Sequence, residues 1–84
     1  MNTLLVFKAG WCKPCQNMTP ILADLDKQGY KIETYDVGEH EDIAKDYSVG
    51  SVPTFVFVDK HDEEYHRVVG ATTYANIRRY MDNV

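Results

Sequence analysis

Cysteine is scarce in this chain, with two residues in 84. A single pair cannot build the dense disulfide framework of a small secreted scaffold, so an oxidising compartment is not the expectation. Long apolar runs are missing as well. None reaches the roughly 18 residues that a membrane-spanning helix needs, and Met1-Asn2-Thr3 has neither the basic flank nor the cleavage site of a signal peptide. The expected location is cytoplasmic, with no membrane partner. Positive charge is thin: nine Lys and Arg stand against 13 Asp and Glu, a net charge of −4, and no basic patch gathers them. Nucleic acid, whose phosphates require concentrated Lys and Arg, is therefore not an expected partner. No internal repeat, linker or low-complexity stretch interrupts the chain. With 44% hydrophobic and 26% charged residues there is material for one core, and a single domain over residues 1–84 is expected.

What is present is concentrated in Trp11-Cys12-Lys13-Pro14-Cys15. The run before it, Thr3-Leu4-Leu5-Val6-Phe7, is continuously apolar and reads as a strand buried on both faces. After it, Met18, Ile21, Leu22 and Leu25 fall at the i, i+3, i+4, i+7 spacing of an amphipathic helix. The cysteines thus sit where a strand ends and a helix begins. Residues three apart in a helix have Cα atoms roughly 5 Å apart, inside the range of about 4.4–6.8 Å that a disulfide accepts. Free N–H groups and the dipole at a helix start favour an anion, so a thiolate at Cys12 is favoured, and Lys13 adds a positive charge. Pro14 suits the first turn, where its missing N–H is not needed. Cys12 is the expected attacking thiol, open to solvent at the helix start, and Cys15, one turn deeper, the resolving one. A structural staple is the plainer alternative, but a four-residue loop is worth only about 2 kcal/mol. Half of a zinc site is another; it needs two further ligands, and no second C-x-x-C exists. No metal and no bound cofactor is expected.

In the remaining chain, Lys27-Gln28-Gly29 reads as a helix stop, and Pro20 is expected to kink the helix before it. Lys31 to Val37 reads as a second strand and Glu41 to Tyr47 as a short helix, with Glu39, Glu41 and Asp42 suiting its positive end. Thr54-Phe55-Val56-Phe57-Val58 is a second buried strand. Asp59 to Glu63 is a polar turn, and Glu64 to Val69 is the strand that returns, the hairpin supplying antiparallel edges to the sheet. A last helix carries Tyr74, Ile77, Tyr80 and Met81 on one side, with Thr72 or Thr73 as its N-cap. The order β-α-β-α-β-β-α predicts an α/β fold with a four-stranded mixed sheet flanked by three helices.

These residues resemble the thioredoxin superfamily, and thioredoxins within it. Ala9-Gly10-Trp11-Cys12-Lys13-Pro14-Cys15 is similar to their active-site segment, Val49-Gly50-Ser51-Val52-Pro53-Thr54 to the segment with a cis-proline, and Val68-Val69-Gly70-Ala71 to the glycine turn beside the substrate groove. The resemblance covers nearly the whole chain. It implies a minimal thioredoxin fold, a cis bond before Pro53, and a Val52 backbone beside Cys12 where a substrate peptide pairs as an added strand. Trp11 would form one wall of that groove, with Lys13, Pro14, Thr54, Gly70 and Ala71 supporting it.

Three departures qualify the likeness. The chain starts where larger thioredoxins already have a strand and a helix, giving a glutaredoxin-sized version. The buried aspartate of the family is replaced by Val6, and Thr34 stands nearest its helper lysine, so Cys15 is expected to depend more on solvent to lose its proton. Lys8 replaces a tryptophan; it either supplies compensating charge or is a solvated strand-end lysine. The resemblance implies a monomeric dithiol–disulfide oxidoreductase that reduces protein disulfides, ribonucleotide reductase being one candidate client. A thioredoxin-reductase-like flavoenzyme using NADPH would recycle it. The alternatives are a glutaredoxin-type carrier recycled by glutathione, a metal or iron–sulfur module shared between two chains, and a redox-inert interaction domain. Against the first, Gly70-Ala71-Thr72-Thr73 offers no carboxylate to anchor glutathione.

Overall fold

A computed structural model describes residues 1–82. In chain order the elements are β1 (Thr3–Lys8), α1 (Lys13–Lys27), β2 (Lys31–Asp36), α2 (Glu41–Asp46), β3 (Thr54–Val58), β4 (Glu64–Val69) and α3 (Tyr74–Met81). The predicted order is the observed one. β2 and α2 each end one residue earlier than expected, with no change of register: the Val37 N–H still reaches the Lys8 carbonyl at 2.9 Å and the Tyr47 N–H the Ile43 carbonyl at 3.1 Å.

The sheet order is β2-β1-β3-β4. β1 pairs parallel to β2 and antiparallel to β3, and β3 pairs antiparallel to β4. The expectation that the hairpin would supply two edges is corrected on one strand. β4 is an edge, but β3 lies inside the sheet. The physical reason is burial: all five residues of β3 are buried, whereas β4 is half-exposed along its length. A strand that is apolar on both faces needs cover above and below, and the middle of the sheet has it.

Alternation along β1 and β3 divides the core in two. Leu4, Val6, Phe55 and Phe57 pack with Met18, Leu25, Ile77 and Met81 of α1 and α3. Leu5, Phe7, Val56 and Val58 turn the other way, against Ala44 of α2. Each fully buried Phe or Leu stabilises the fold by about 1.5–3 kcal/mol, and Phe7, Phe55, Phe57, Leu4 and Leu25 are all fully buried. β1 is therefore held from both faces, and its carboxyl end is a rigid platform for whatever follows it.

α1 runs through Pro20 as one helix. It closes as predicted: Gly29 takes φ +96°, where its N–H reaches the Asp26 carbonyl at 3.0 Å, and the Tyr30 N–H reaches Leu25 at 3.2 Å. α2 stops without a glycine, Ser48 adopting φ +55° with its N–H on the Lys45 carbonyl. The N-cap of α3 is Thr73, whose Oγ1 accepts the Asn76 N–H at 3.1 Å. No helix among the described residues is long and apolar enough to cross a membrane.

Candidate active site

The platform of β1 delivers the chain to α1 in four residues, and the two cysteines occupy that junction. The Cys12 N–H donates to the Ala9 carbonyl at 3.1 Å, closing the turn, and the Gln16 side-chain amide braces it by donating to the Gly10 carbonyl at 3.0 Å. Cys12 is the N-cap of α1. It has extended backbone angles, its carbonyl accepts the Gln16 N–H at 3.2 Å, and its Sγ accepts the Cys15 N–H at 3.2 Å. A sulfur here does what a Ser or Asp cap does, answering a free N–H of the first turn. Pro14 lies in that turn, where no donor is missed, and the exposed Lys13 flanks it. Cys12 and Cys15 form a disulfide with Cα atoms 5.2 Å apart, as their spacing allows.

The accessibility of Cys12 is a correction. A nucleophile open to solvent was expected; in the bridged form Cys12 is 3% exposed and Cys15 5%. The bridge holds the Cys12 sulfur over the start of the helix, and Ala9, Val37 and Val52 pack around the pair. What lies open is the rim: Trp11 is 81% exposed and Val69 63%. Trp11 is thus a surface tryptophan beside the bridge and not a core residue.

The second segment reaches the same place from β3. The Val52–Pro53 bond is cis, as the resemblance implied, and Val52 packs on the cysteine pair while Pro53 and Thr54 are buried. Thr54 Oγ1 donates to the Ser51 carbonyl at 2.8 Å. The third segment follows: Gly70, at φ +99°, donates its N–H to the Pro53 carbonyl at 2.8 Å, with Ala71 exposed beyond it. Gly70 thereby ties the end of β4 to the Pro53 loop. Lys8 is exposed at the end of β1, opposite Asp36 in the ladder.

Two residues of the site escaped the sequence reading. Val37 and Gln16 have no motif; the first reaches the pair by the parallel pairing of β2 with β1, and the second by one helical turn. Behind the bridge a cavity of about 290 Å³ is lined by Cys15, Val6, Lys8, Thr34, Pro53 and Asp26, among others. A larger cavity of about 720 Å³ opens at the opposite end of the sheet, beside Tyr30, Lys60 and Met81, and touches neither cysteine. Among the described residues no three His, Cys, Asp or Glu side chains converge as metal ligands. The groups with displaced acidity lie away from the bridge. Arg67 hydrogen-bonds Glu64 at 2.7 Å and holds its carboxyl below the usual range, and two backbone N–H groups do the same for Asp59.

The thioredoxin family pattern matches residues 1–83. Thioredoxin H-type 1 of Nicotiana tabacum is 43% identical over 67 residues, which are 77% of this chain and 52% of that protein. Thioredoxin H4 of Arabidopsis thaliana is 40% identical over 75 residues, 83% of this chain and 62% of its own. The chain therefore spans only about half to three-fifths of the curated relatives it matches. In three dimensions the thioredoxin of Fasciola hepatica superposes with a TM-score of 0.85 at 34% identity, covering 95% of this chain and 77% of that one. With the family pattern spanning nearly every residue and the same fold in solved thioredoxins, this chain belongs to the thioredoxin family.

Proposed function

We propose that the chain is a dithiol–disulfide oxidoreductase of thioredoxin type, acting on disulfides of other proteins. The observation that carries this reading is the Cys15 N–H pointing at Cys12 Sγ from the open end of α1 at 3.2 Å. In the reduced protein the same donor, the helix dipole and Lys13 favour a thiolate at Cys12. That thiolate attacks one sulfur of a client disulfide, forming a mixed disulfide and releasing the client's other sulfur. Cys15 loses its proton and attacks Cys12 Sγ, the bond to the client breaks, and the client leaves reduced. Two electrons pass to the client, and the Cys12–Cys15 bridge is regenerated. Trp11 and Val69 offer an apolar surface for the client chain, and the Val52 backbone a place for it to pair.

Recycling by an NADPH-dependent flavoenzyme, a cytoplasmic setting, a monomeric carrier and ribonucleotide reductase as a client all belong to this proposal. The test is insulin reduction driven either by NADPH with a thioredoxin reductase or by glutathione with its reductase. Turnover with the first system, its loss in Cys12→Ser, and a stable client adduct on Cys12 in Cys15→Ser are the expected results. Turnover with glutathione alone would move the chain to the glutaredoxin type. The absence of both turnover and adduct would overturn the proposal.

A further inference from the structure

The resolving step asks Cys15 to give up a proton although it is 5% exposed. Its surroundings oppose this: Val6, Met18, Pro53 and Phe55 share the wall of the cavity behind it, and apolar burial disfavours a thiolate. The same cavity also carries the remedy. At about 290 Å³ it has room for several waters, each filling about 30 Å³, and Thr19 and Thr34 offer them hydroxyl partners. Two charged side chains line it, Lys8 and Asp26. Asp26 lies eleven residues beyond Cys15 on α1, roughly 16 Å along the helix axis. Lys8 ends β1 on the face shared with Val6, at the end of the sheet where the bridge sits. Of the nearby charges outside the cavity, Asp36 faces Lys8 across the ladder and Lys13 stands at the helix start, flanking Cys12.

We infer that Lys8 is a positioning residue for the resolving thiol, its ammonium stabilising the Cys15 thiolate through the water-accessible cavity while the proton leaves by that water. This rests on the function proposed above. In the step, the Cys15 thiol passes its proton to cavity water and the thiolate attacks Cys12 Sγ. The new bond is Cys12–Cys15, the broken one is Cys12–client, and the departing client thiolate takes its proton from solvent. No carboxylate touching Cys15 is required, which fits a Val at position 6.

The two thiols can be timed separately. Reduced protein mixed with equimolar dithiobis(nitrobenzoate) releases one nitrothiobenzoate when Cys12 attacks and a second when Cys15 resolves, both read by absorbance in a stopped-flow instrument. A first phase that vanishes in Cys12→Ser supports the proposed function on its own. The inference concerns only the second phase, followed from about pH 6 to 9. In Lys8→Met its pH midpoint is expected to rise by about one unit, roughly a ten-fold slowing near neutrality, with the first phase unmoved. Lys8→Arg should restore it. A second-phase midpoint identical in wild type and Lys8→Met overturns the inference, as does an equal slowing of both phases. Should Lys8→Met fail to fold, the wild type decides: raising salt from about 0.02 to 1 M must push the second-phase midpoint upward, and an unmoved midpoint overturns the inference.

Discussion

Reducing the Cys12–Cys15 bridge should weaken the fold only slightly, and the size of the effect separates a redox centre from a staple. The bridge closes a loop with a sequence separation of three. Loop-closure entropy for so short a ring is worth about 2 kcal/mol. Spread over roughly 0.18 kcal/mol/K of unfolding entropy for a chain of this size, that becomes a fall in Tm of about 11 °C. The structure gives reasons for the loss to be no larger. The cap of Cys12 Sγ on the Cys15 N–H does not depend on the S–S bond for its donor or acceptor, and a thiolate at Cys12 would strengthen it. The two apolar clusters on the sheet faces contain neither cysteine. The assay is thermal unfolding followed by far-UV circular dichroism, with and without excess dithiothreitol, beside a Cys12→Ser/Cys15→Ser double variant as the permanently reduced form. Cooperative unfolding in both states, separated by no more than about 15 °C, is expected. A reduced protein already unfolded at room temperature, or a loss beyond about 4 kcal/mol, would refute the reasoning, because a bridge of that weight holds the fold instead of cycling.

Three further outcomes follow from the packing and the caps. Phe57 is fully buried and lies 5.5–6.2 Å from the rings of Tyr65, His66 and Tyr80, so Phe57→Ala should cost about 3–5 kcal/mol in denaturant unfolding. Against a total of about 5–15 kcal/mol, that variant should be close to unfolding. Thr73→Ala removes the Oγ1 acceptor for Asn76 at the start of α3 and should cost about 1 kcal/mol, visible as a Tm fall of roughly 6 °C with client reduction intact. Arg67→Met removes an exposed ion pair with Glu64 and a 2.6 Å hydrogen bond to the Tyr47 carbonyl, a loss of about 1–2 kcal/mol that falls mainly on the carbonyl bond. The same pair sets a pH dependence. Glu64 has its folded carboxyl held down by Arg67, so its contribution is complete above the ordinary carboxylate range and is lost as pH falls through the lower folded value. Urea midpoints should therefore drop on acidification below about pH 4.5, and less steeply in Arg67→Met. Asp59 acts in the same direction through its two backbone hydrogen bonds.

Local rules suffice for much of this protein. The continuous apolar runs 3–7 and 54–58 demand cover on both faces, and they became the two inner strands. The Cys12, Pro14 and Gly29 signals bounded α1 because capping and turn chemistry depend on a few neighbouring residues. The spacing of Cys12 and Cys15 already made the bridge possible, and their place at a helix start already set the polarity of their environment. Tertiary structure decided what local rules cannot reach. The hairpin legible over 54–69 brings Pro53 near Gly70, but the register that sets the Gly70 N–H on the Pro53 carbonyl depends on an irregularity at Phe57/Val58 that no local signal gave. Val37 reaches the cysteines only because β2 pairs parallel with β1, and the cavity that joins Lys8 to Cys15 exists only once α1 lies across that sheet. The burial of Cys12 in its bridged form was likewise invisible, because the residues packed around the pair, Ala9, Val37 and Val52, sit at the ends of three strands whose order no single stretch encodes.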